Sequence, residues 1–216
     1  MKTAPEHHEN NVVIRKYQSA DETEWVRTRV LAFLDTSYRD DVQPYRERYE
    51  NPAIRLVAID RESQKMVGLI DIEYEQHTGE VCNFPGQRGG VIWHLAVLPE
   101  FRNSGIANAL FQRALAELKE HGVTRLAVWT QDDEPANSWY RAKGFEIKHC
   151  YLNVFSRGLV DRGPIKDLLP SAAKEWNFGH IRNLNFEADV SHREQLEALS
   201  YRIHEVRGME LQLSSY

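Results

Sequence analysis

The residues best suited to bind an anionic ligand lie in one turn, Arg102-Asn-Ser-Gly-Ile-Ala107. This turn follows an apolar stretch typical of a strand and leads directly into a helical pattern. The first N–H groups of a helix have no partner within it and therefore suit phosphate oxygens. Arg102 adds positive charge, Gly105 lets a ligand approach the backbone, and Ser104 could either cap the helix or bind a phosphate. A plain strand-to-helix connection also fits this turn, so the remaining residues are needed to choose between the two.

A second set of candidate residues is acidic. Strand alternation places Asp71, Glu73 and Glu75 on one face of the predicted strand 66–75. Such carboxylates are either exposed to solvent or line a cleft, where they would suit an amine. The segment 35–51 leaves the same two interpretations open. It is either a solvated connector or an acidic and aromatic wall for a cation, built from Asp35, Tyr38, Asp40, Asp41, Tyr45 and Tyr49.

The composition restricts the class of protein. With 216 residues, 42% of them hydrophobic and 27% charged, the chain predicts one soluble globular domain with room for an appendage. Its net charge of −5 argues against a nucleic-acid partner. No apolar run approaches the ~20 residues needed to span a bilayer, and the first residues are polar, so we expect no membrane partner and a cytoplasmic location. Cys82 and Cys150 have no metal-ligand spacing, and we expect reduced thiols and no metal.

The elements that must position these residues follow from the hydrophobic pattern. It predicts strands at 12–17, 54–60, 66–75, 91–98, 124–130 and 145–155, and helices at 21–33, 106–118 and 132–143. The two strands around residues 61–65 form a hairpin. Residues 165–169 are a short helix in this interpretation. Ser191 and Glu194 form a capping box before a helical run that extends to Ile203, and residues 209–213 alternate like a strand.

The order β-α-α-β-β, then β-loop-α, then β-α-β, resembles the GNAT superfamily of acyl-coenzyme A N-acyltransferases. The motifs at residues 95–107, 136–140 and 144–145 carry the resemblance, which extends over residues 12–155. It implies an α/β (α+β) fold in which a mixed, mostly antiparallel sheet has helices on both faces. Residues 1–11 would be a flexible N-terminus. Residues 156–216 would be a small C-terminal extension, packed on this domain or on a second subunit as a homodimer.

The resemblance implies that acetyl-CoA is the cofactor and assigns residues to its parts. The central strand would separate from its neighbour, so that its free backbone groups pair with the pantetheine arm. The family often has an Asn at the position of Asp133, which we interpret as a helix cap, and Asn137 would replace it on the pantetheine. The pantetheine would be bound by Leu95, Ala96 and Val97. The pyrophosphate would be bound by Arg102, Asn103, Ser104, Gly105, Ile106 and Ala107.

The catalytic assignments also come from the resemblance. Tyr140 lies at the family's usual position for the general acid, and a phenol of pKa ~10 can protonate a departing thiolate whose thiol has a pKa of ~8.5. The N–H near Leu95 would meet the negative charge that develops on the carbonyl oxygen.

The general base stays open. The positions where the family often has a Glu are occupied here by Val128 and Val91. His94 and Glu73 are the remaining candidates, and water could also relay the proton. Strict alternation puts His94 on the same face as Ile92, which favours a packed histidine.

These residues predict an N-acetyltransferase that acts on a primary amine, with a small cationic acceptor favoured by the acidic residues. A non-catalytic acyl-CoA-binding or sensing module is the alternative. The turn lacks the Gly-Lys-Ser/Thr ending of a nucleotide-binding phosphate loop, which makes a nucleotide a poorer interpretation.

Overall fold

The computed structural model describes residues 11–39, 42–157 and 183–213. The helices in these ranges are α1 Glu22–Phe33, α2 Ile106–Glu120, α3 Glu134–Ala142 and α4 Arg193–Glu197. The strands are β1 Val12–Lys16, β2 Ala53–Asp60, β3 Met66–Tyr74, β4 Gly89–Val97, β5 Arg125–Thr130, β6 Glu146–Arg157, β7 Asn183–Ala188 and β8 Arg202–Gln212. The predicted elements of residues 12–155 are therefore confirmed within a few residues at each end.

All eight strands form one sheet in the order β1-β2-β3-β4-β5-β8-β6-β7. Only the β4–β5 pair is parallel, which confirms the predicted mixed, mostly antiparallel sheet. The register of that pair runs from Gly89 opposite Arg125 to Ile92 opposite Val128 and then ends. Beyond Ile92 the two strands continue without pairing to each other, so the sheet opens into a V between them. The backbone of β4 beyond Ile92 is consequently unpaired on its β5 side.

Helices cover both faces of the sheet. On one face, α2 packs Ile106, Leu110 and Phe111 into the larger hydrophobic core. On the other face, α1 packs Trp25 and Ala32 into a second core with residues of β2, β3 and β4. The apolar spacing in both helices explains this arrangement, because residues three or four apart lie on the same helix face. The V between β4 and β5 thus opens between two helical layers.

Strand β4 contains a bulge at Trp93. Ile92 lies opposite Ile72 and His94 lies opposite Asp71, so Trp93 is an extra residue relative to β3. An inserted residue reverses the alternation of side chains along a strand. The prediction that His94 shares a face with Ile92 is therefore wrong. His94 lies with Asp71 on the face that α1 covers.

The C-terminal part of the chain contributes two strands to the same sheet. β8 lies between β5 and β6 and contains the predicted strand from Met209, while β7 pairs with β6 at the edge. The predicted helical run to Ile203 is wrong, because α4 ends at Glu197 and Ile203 lies in β8. The predicted capping box is also wrong, since the capping carboxylate is that of Asp189, which accepts from the Ser191 N–H at 2.9 Å.

Three further predictions concern smaller features. Between α1 and β2 the described residues, 34–39 and 42–52, contain no second helix, so the implied β-α-α-β order is wrong there. The predicted helix at 165–169 lies outside the described residues. Cys82 and Cys150 are free thiols. None of the helices described here is long and apolar enough to cross a membrane, and no group of three metal-ligating side chains occurs in the same ranges.

Candidate active site

The turn after β4 has the backbone of an anion site. Asn103 and Gly105 have positive φ angles of 59° and 85°, and Gly105 is the N-cap of α2. A φ of 85° suits glycine, which has no Cβ to clash with the backbone. The hydrogen bonds of α2 begin with the Ala109 N–H to the Gly105 carbonyl at 2.9 Å. The N–H groups of residues 106–108 therefore have no acceptor inside the helix.

Two side chains hold the turn in place. The Nη2 atom of Arg102 donates to the Ala32 carbonyl of α1 at 2.7 Å, so this guanidinium is anchored at the mouth of the turn. The hydroxyl of Ser104 donates to the Phe101 carbonyl. No side chain caps α2, and the prediction that Ser104 caps it is wrong.

A cavity of about 740 Å³ passes through the V, and we call it the larger cavity. It extends from the end of α1, at Ala32 and Phe33, to Trp139 of α3. It brings together nearly all of the residues predicted to bind the donor, together with the predicted general acid. These residues are Leu95, Ala96, Val97, Arg102, Asn103, Ser104, Gly105, Ile106, Ala107 and Tyr140.

Tyr140 is held in the larger cavity by neighbouring rings. It is 6% exposed, and Trp139 and Phe145 contact its ring edge-on with centroids 5.1 Å away. Burial raises the pKa of its hydroxyl, and the nearby Tyr38 raises it further. The hydroxyl is therefore protonated at neutral pH and able to donate. Asp133 positions the helix that carries Tyr140, because its Oδ1 accepts from the Ala136 N–H at 3.0 Å, which confirms the predicted cap.

Asn137 has a different position from the other predicted donor-binding residues. It is fully buried and does not line the larger cavity. Its Oδ1 accepts from the Thr130 hydroxyl at 2.6 Å, and its Nδ2 donates to the Gln131 carbonyl at 2.8 Å. Both ends of this amide thus fasten α3 to the end of β5.

A second cavity, of about 410 Å³, lies on the α1 side of β3 and β4, and we call it the smaller cavity. It contains both predicted base candidates, His94 and Glu73, and places them away from Tyr140. The cavities are neighbours, since His94 of one precedes Leu95 of the other along β4. The smaller cavity is lined by Glu47, Arg48, Tyr49, Glu50, Asn51, Glu73, Glu80, Val81, Trp93 and His94.

The polar groups of the smaller cavity are already bonded to one another. Glu47 accepts from His94 Nε2 at 3.0 Å and from Arg29 Nη1 at 2.5 Å. Burial raises the pKa of Glu47, but His94 and Arg29 outweigh it and lower the value to about 2. Glu73 accepts from the Asn51 backbone at 2.9 Å and, through its other oxygen, from Trp93 Nε1 at 2.8 Å. Both oxygens of Glu73 and the Nε2 atom of His94 are thus bonded within the protein, while the buried Nδ1 of His94 has no partner in the described part of the chain.

The three carboxylates Asp71, Glu73 and Glu75 are all buried, so the interpretation that they are solvent-exposed is wrong. Asp71 accepts from Tyr49 and Trp25, and burial raises its pKa. Glu75 accepts from four backbone N–H groups, three in the following loop and one at Gly89, where β4 begins. Of the three, only Glu73 lines one of the two cavities.

The segment 35–51 borders both cavities. Asp35 and Tyr38 line the larger one, and Tyr49 lines the smaller one. Tyr45 is exposed, as the connector interpretation requires, and the interpretation of the segment as a wall for a cation stays a prediction. Asp40 and Asp41 lie outside the described residues.

Sequence reasoning did not single out His204 and Asp132 of the larger cavity. His204 Nδ1 lies 2.6 Å from Asp132 Oδ1, and both side chains line the cavity. The residues are 72 positions apart and meet only because β8 lies beside β5. No local pattern in the sequence indicates such a pair.

Comparison with known protein families identifies the family of this chain. Residues 20–145 match the acetyltransferase (GNAT) family. The chain belongs to the GNAT family. A mycothiol acetyltransferase from Thermobifida fusca (strain YX) is 28% identical over 144 residues, which is 63% of this chain and 44% of that protein. The chain spans about half the length of the curated relatives it matches.

Solved structures agree on the fold. A GNAT-family acetyltransferase from Streptococcus pneumoniae has a TM-score of 0.58 at 16% identity, covering 94% of this chain and 99% of that chain. The NatC complex bound to Gag peptide and CoA has a TM-score of 0.52 at 15% identity, covering 94% of this chain and 99% of the matched chain. These similarities show that the chain has the fold of these proteins over most of its length.

Proposed function

We propose that this GNAT protein transfers the acetyl group of acetyl-CoA to the primary amine of a small cationic acceptor. The observation that carries the proposal is that one cavity contains the turn 102–107, the unpaired edge of β4 and the hydroxyl-bearing ring of Tyr140. Membership of the acetyltransferase family supports the same reaction.

The residues of the larger cavity fit coenzyme A. The pyrophosphate needs N–H donors and positive charge, and the first turn of α2 and Arg102 provide both. The pantetheine arm contains amides, which can pair with the backbone of residues 95–97 because the β4–β5 register ends before them. We do not assign Asn137 to the pantetheine, since its amide is used by Thr130 and Gln131.

Two groups of this chain would carry the chemistry. Acetyl-CoA supplies a thioester whose carbonyl carbon is open to attack by a neutral amine. The N–H of Leu95 would hydrogen-bond to the carbonyl oxygen as negative charge develops on it. The Tyr140 hydroxyl would donate a proton to the sulfur, since burial keeps that hydroxyl protonated.

The smaller cavity would hold the cationic part of the acceptor. Its wall includes the carboxylates of Glu47, Glu50 and Glu80 and the ring of Trp93, and negative charge with an aromatic face stabilises an ammonium group. His94 and Glu73 lie in this wall as well. We assign them to orienting the acceptor, because His94 Nε2 is bonded to Glu47 and the Glu73 carboxylate is bonded to Asn51 and Trp93.

Calorimetry and a release assay test the proposal in two steps. Titration of acetyl-CoA into the protein without acceptor should release or absorb heat, and no heat at millimolar ligand would contradict donor binding. A panel of polyamines, aminoglycosides, amino acids and peptides is then assayed for coenzyme A release. Binding without release for every amine would instead support a non-catalytic acyl-CoA-binding module.

A further inference from the structure

A histidine–carboxylate pair lies beside the end of β5, on the β8 side of that strand. β8 pairs with β5 as far as Arg207 opposite Thr130, and His204 lies three residues earlier in β8. Asp132 follows the end of β5, so the pair closes the wall of the larger cavity between β5 and β8. His204 lies outside residues 20–145, which carry the family match.

The pair fixes which ring nitrogen carries the proton. A carboxylate has no proton to give, so the 2.6 Å contact makes His204 Nδ1 the donor and leaves Nε2 as an acceptor in the neutral ring. The side chain is 13% exposed. Its Nε2 is buried and has no hydrogen-bond partner in the described part of the chain. An acceptor nitrogen without a partner, in a residue that lines the cavity, is a site for a proton.

His94 is the other histidine beside the cavities, and the roles of its two ring nitrogens are reversed. Its Nε2 is bonded to Glu47, and its buried Nδ1 has no hydrogen-bond partner in the described part of the chain. It lines the smaller cavity, where Tyr140 is absent. His204 lines the same cavity as Tyr140 and the β4 edge. The general base is needed where the new bond forms, and that is in the larger cavity.

We propose that His204 is the general base of the acetyl transfer and that Asp132 positions its ring, an inference that rests on the proposed function. His204 Nε2 accepts the proton that the amine nitrogen loses as the C–N bond forms. Tyr140 donates a proton to the sulfur as the C–S bond breaks. A proton then passes from the imidazolium to the tyrosinate through water, which restores both residues and leaves an amide and free coenzyme A.

The charged groups around His204 are compatible with this role. Asp132 lies beside the imidazolium that forms, and Asp133 and Glu134 line the same cavity. On β8 itself, Glu205 pairs with Arg207. The centroids of the Phe155 and His204 rings are 6.0 Å apart, and the guanidinium of Arg202 lies over the Phe155 ring. The charged group in direct contact with the His204 ring is therefore the carboxylate of Asp132.

Substitution tests the role directly in the full chain. His204→Gln should lower kcat for the best amine by about 10²-fold and remove the acid-side inflection of the kcat–pH profile. Calorimetry should give an acetyl-CoA affinity within about twofold of the parent, because the pyrophosphate and pantetheine groups are unchanged. The control His149→Gln, on the exposed part of β6, should leave kcat within about twofold. A His204→Gln protein that keeps kcat within about threefold would overturn the proposal.

A measurement without acceptor tests the same pair. Nitrogen-15 NMR of the His204 ring at pH 8 should find Nδ1 protonated and Nε2 unprotonated, and Asp132→Asn should disturb this preference. A ring protonated on Nε2 in the parent protein would overturn the inference while leaving the proposed function intact. If the parent protein releases no coenzyme A with any amine, both the proposed function and this inference fail.

Discussion

Tyr49 donates a hydrogen bond of 3.0 Å to the buried carboxylate of Asp71. This bond joins the segment before β2 to the middle of β3, and Tyr49 also forms part of the smaller cavity. Asp71 has two further donors, but they are longer, with Trp25 at 3.4 Å and Arg46 at 3.5 Å. Tyr49 is thus the nearest of the groups that compensate for burying this carboxylate.

Tyr49→Phe should lower the free energy of unfolding by about 1–3 kcal/mol, because it leaves a buried acceptor short of a donor. Urea denaturation at neutral pH measures the change. Tyr45→Phe is the matched control, since Tyr45 is exposed in the same segment, and it should change stability by less than about 0.5 kcal/mol. Equal stability of both variants would show that the bond to Asp71 contributes nothing.

Glu75→Gln should destabilise the protein in a pH-dependent way. The carboxylate accepts from the N–H groups of Gly79, Val81, Cys82 and Gly89, at 2.8–3.3 Å. Burial raises the pKa of Glu75, but these bonds outweigh it and lower the pKa overall. A Gln keeps one acceptor oxygen and turns an NH₂ group toward a donor, so we expect a loss of about 1.5–3 kcal/mol at pH 7.

The sign of the pH dependence follows from the lowered pKa. The stabilisation is present above the unfolded-state pKa of ~4.3 and is lost as pH falls through the lower folded-state value. Thermal unfolding from pH 7 to pH 3 should therefore show the parent and Glu75→Gln converging at acid pH. Glu120→Gln, at the exposed end of α2, should match the parent throughout. A difference that grows on acidification would contradict the assignment.

Much of this site could be predicted because its signals are local. The turn 102–107 and the tyrosine of α3 each depend on a few consecutive residues. The face of His94 was predicted wrongly because strict alternation of side chains takes no account of an extra residue in the strand, here Trp93. The burial of Glu75 could not be predicted either, since its four donors lie in a loop and at the start of β4, whose positions are set by the folded sheet.

The pairing of His204 with Asp132 shows a second limit of the sequence. Each residue lies in an unremarkable polar context, and the contact needs β8 to insert between β5 and β6. Strand order is a property of the whole sheet, which no stretch of local sequence specifies. The pattern therefore predicted a strand at 209–213 but not where it lies.

Gly105→Ala should weaken coenzyme A binding by at least about tenfold. The residue has a φ of 85°, and a Cβ there costs about 1 kcal/mol of strain and also stands where the pyrophosphate approaches the backbone. Gly122→Ala is the matched control, because Gly122 has a φ of 67° just past the other end of α2 and lies outside both cavities. Both variants should lose similar stability, and calorimetry should find weaker binding only for Gly105→Ala.

Tyr140→Phe should lower kcat by about 10²-fold while leaving the affinity for acetyl-CoA unchanged. The ring still packs on Trp139 and Phe145, so only the proton donor is lost. Steady-state release of coenzyme A and calorimetry give the two numbers. Tyr74→Phe, which keeps its stacking on His121, should behave as the parent. A Tyr140→Phe protein with full kcat would show that another group protonates the sulfur.

Glu50→Gln should raise KM for a cationic acceptor without changing kcat. Glu50 is exposed at the rim of the smaller cavity, where its charge attracts the acceptor but does not touch the reacting atoms. Exposed charges contribute little, so we expect a rise of about two- to fivefold at low salt. The difference should shrink as ionic strength rises, because salt screens a rim charge.

Glu62→Gln, in the exposed β2–β3 connection, removes the same charge away from both cavities and should leave KM unchanged. Equal KM values for the two variants at every salt concentration would place the acceptor's cation elsewhere.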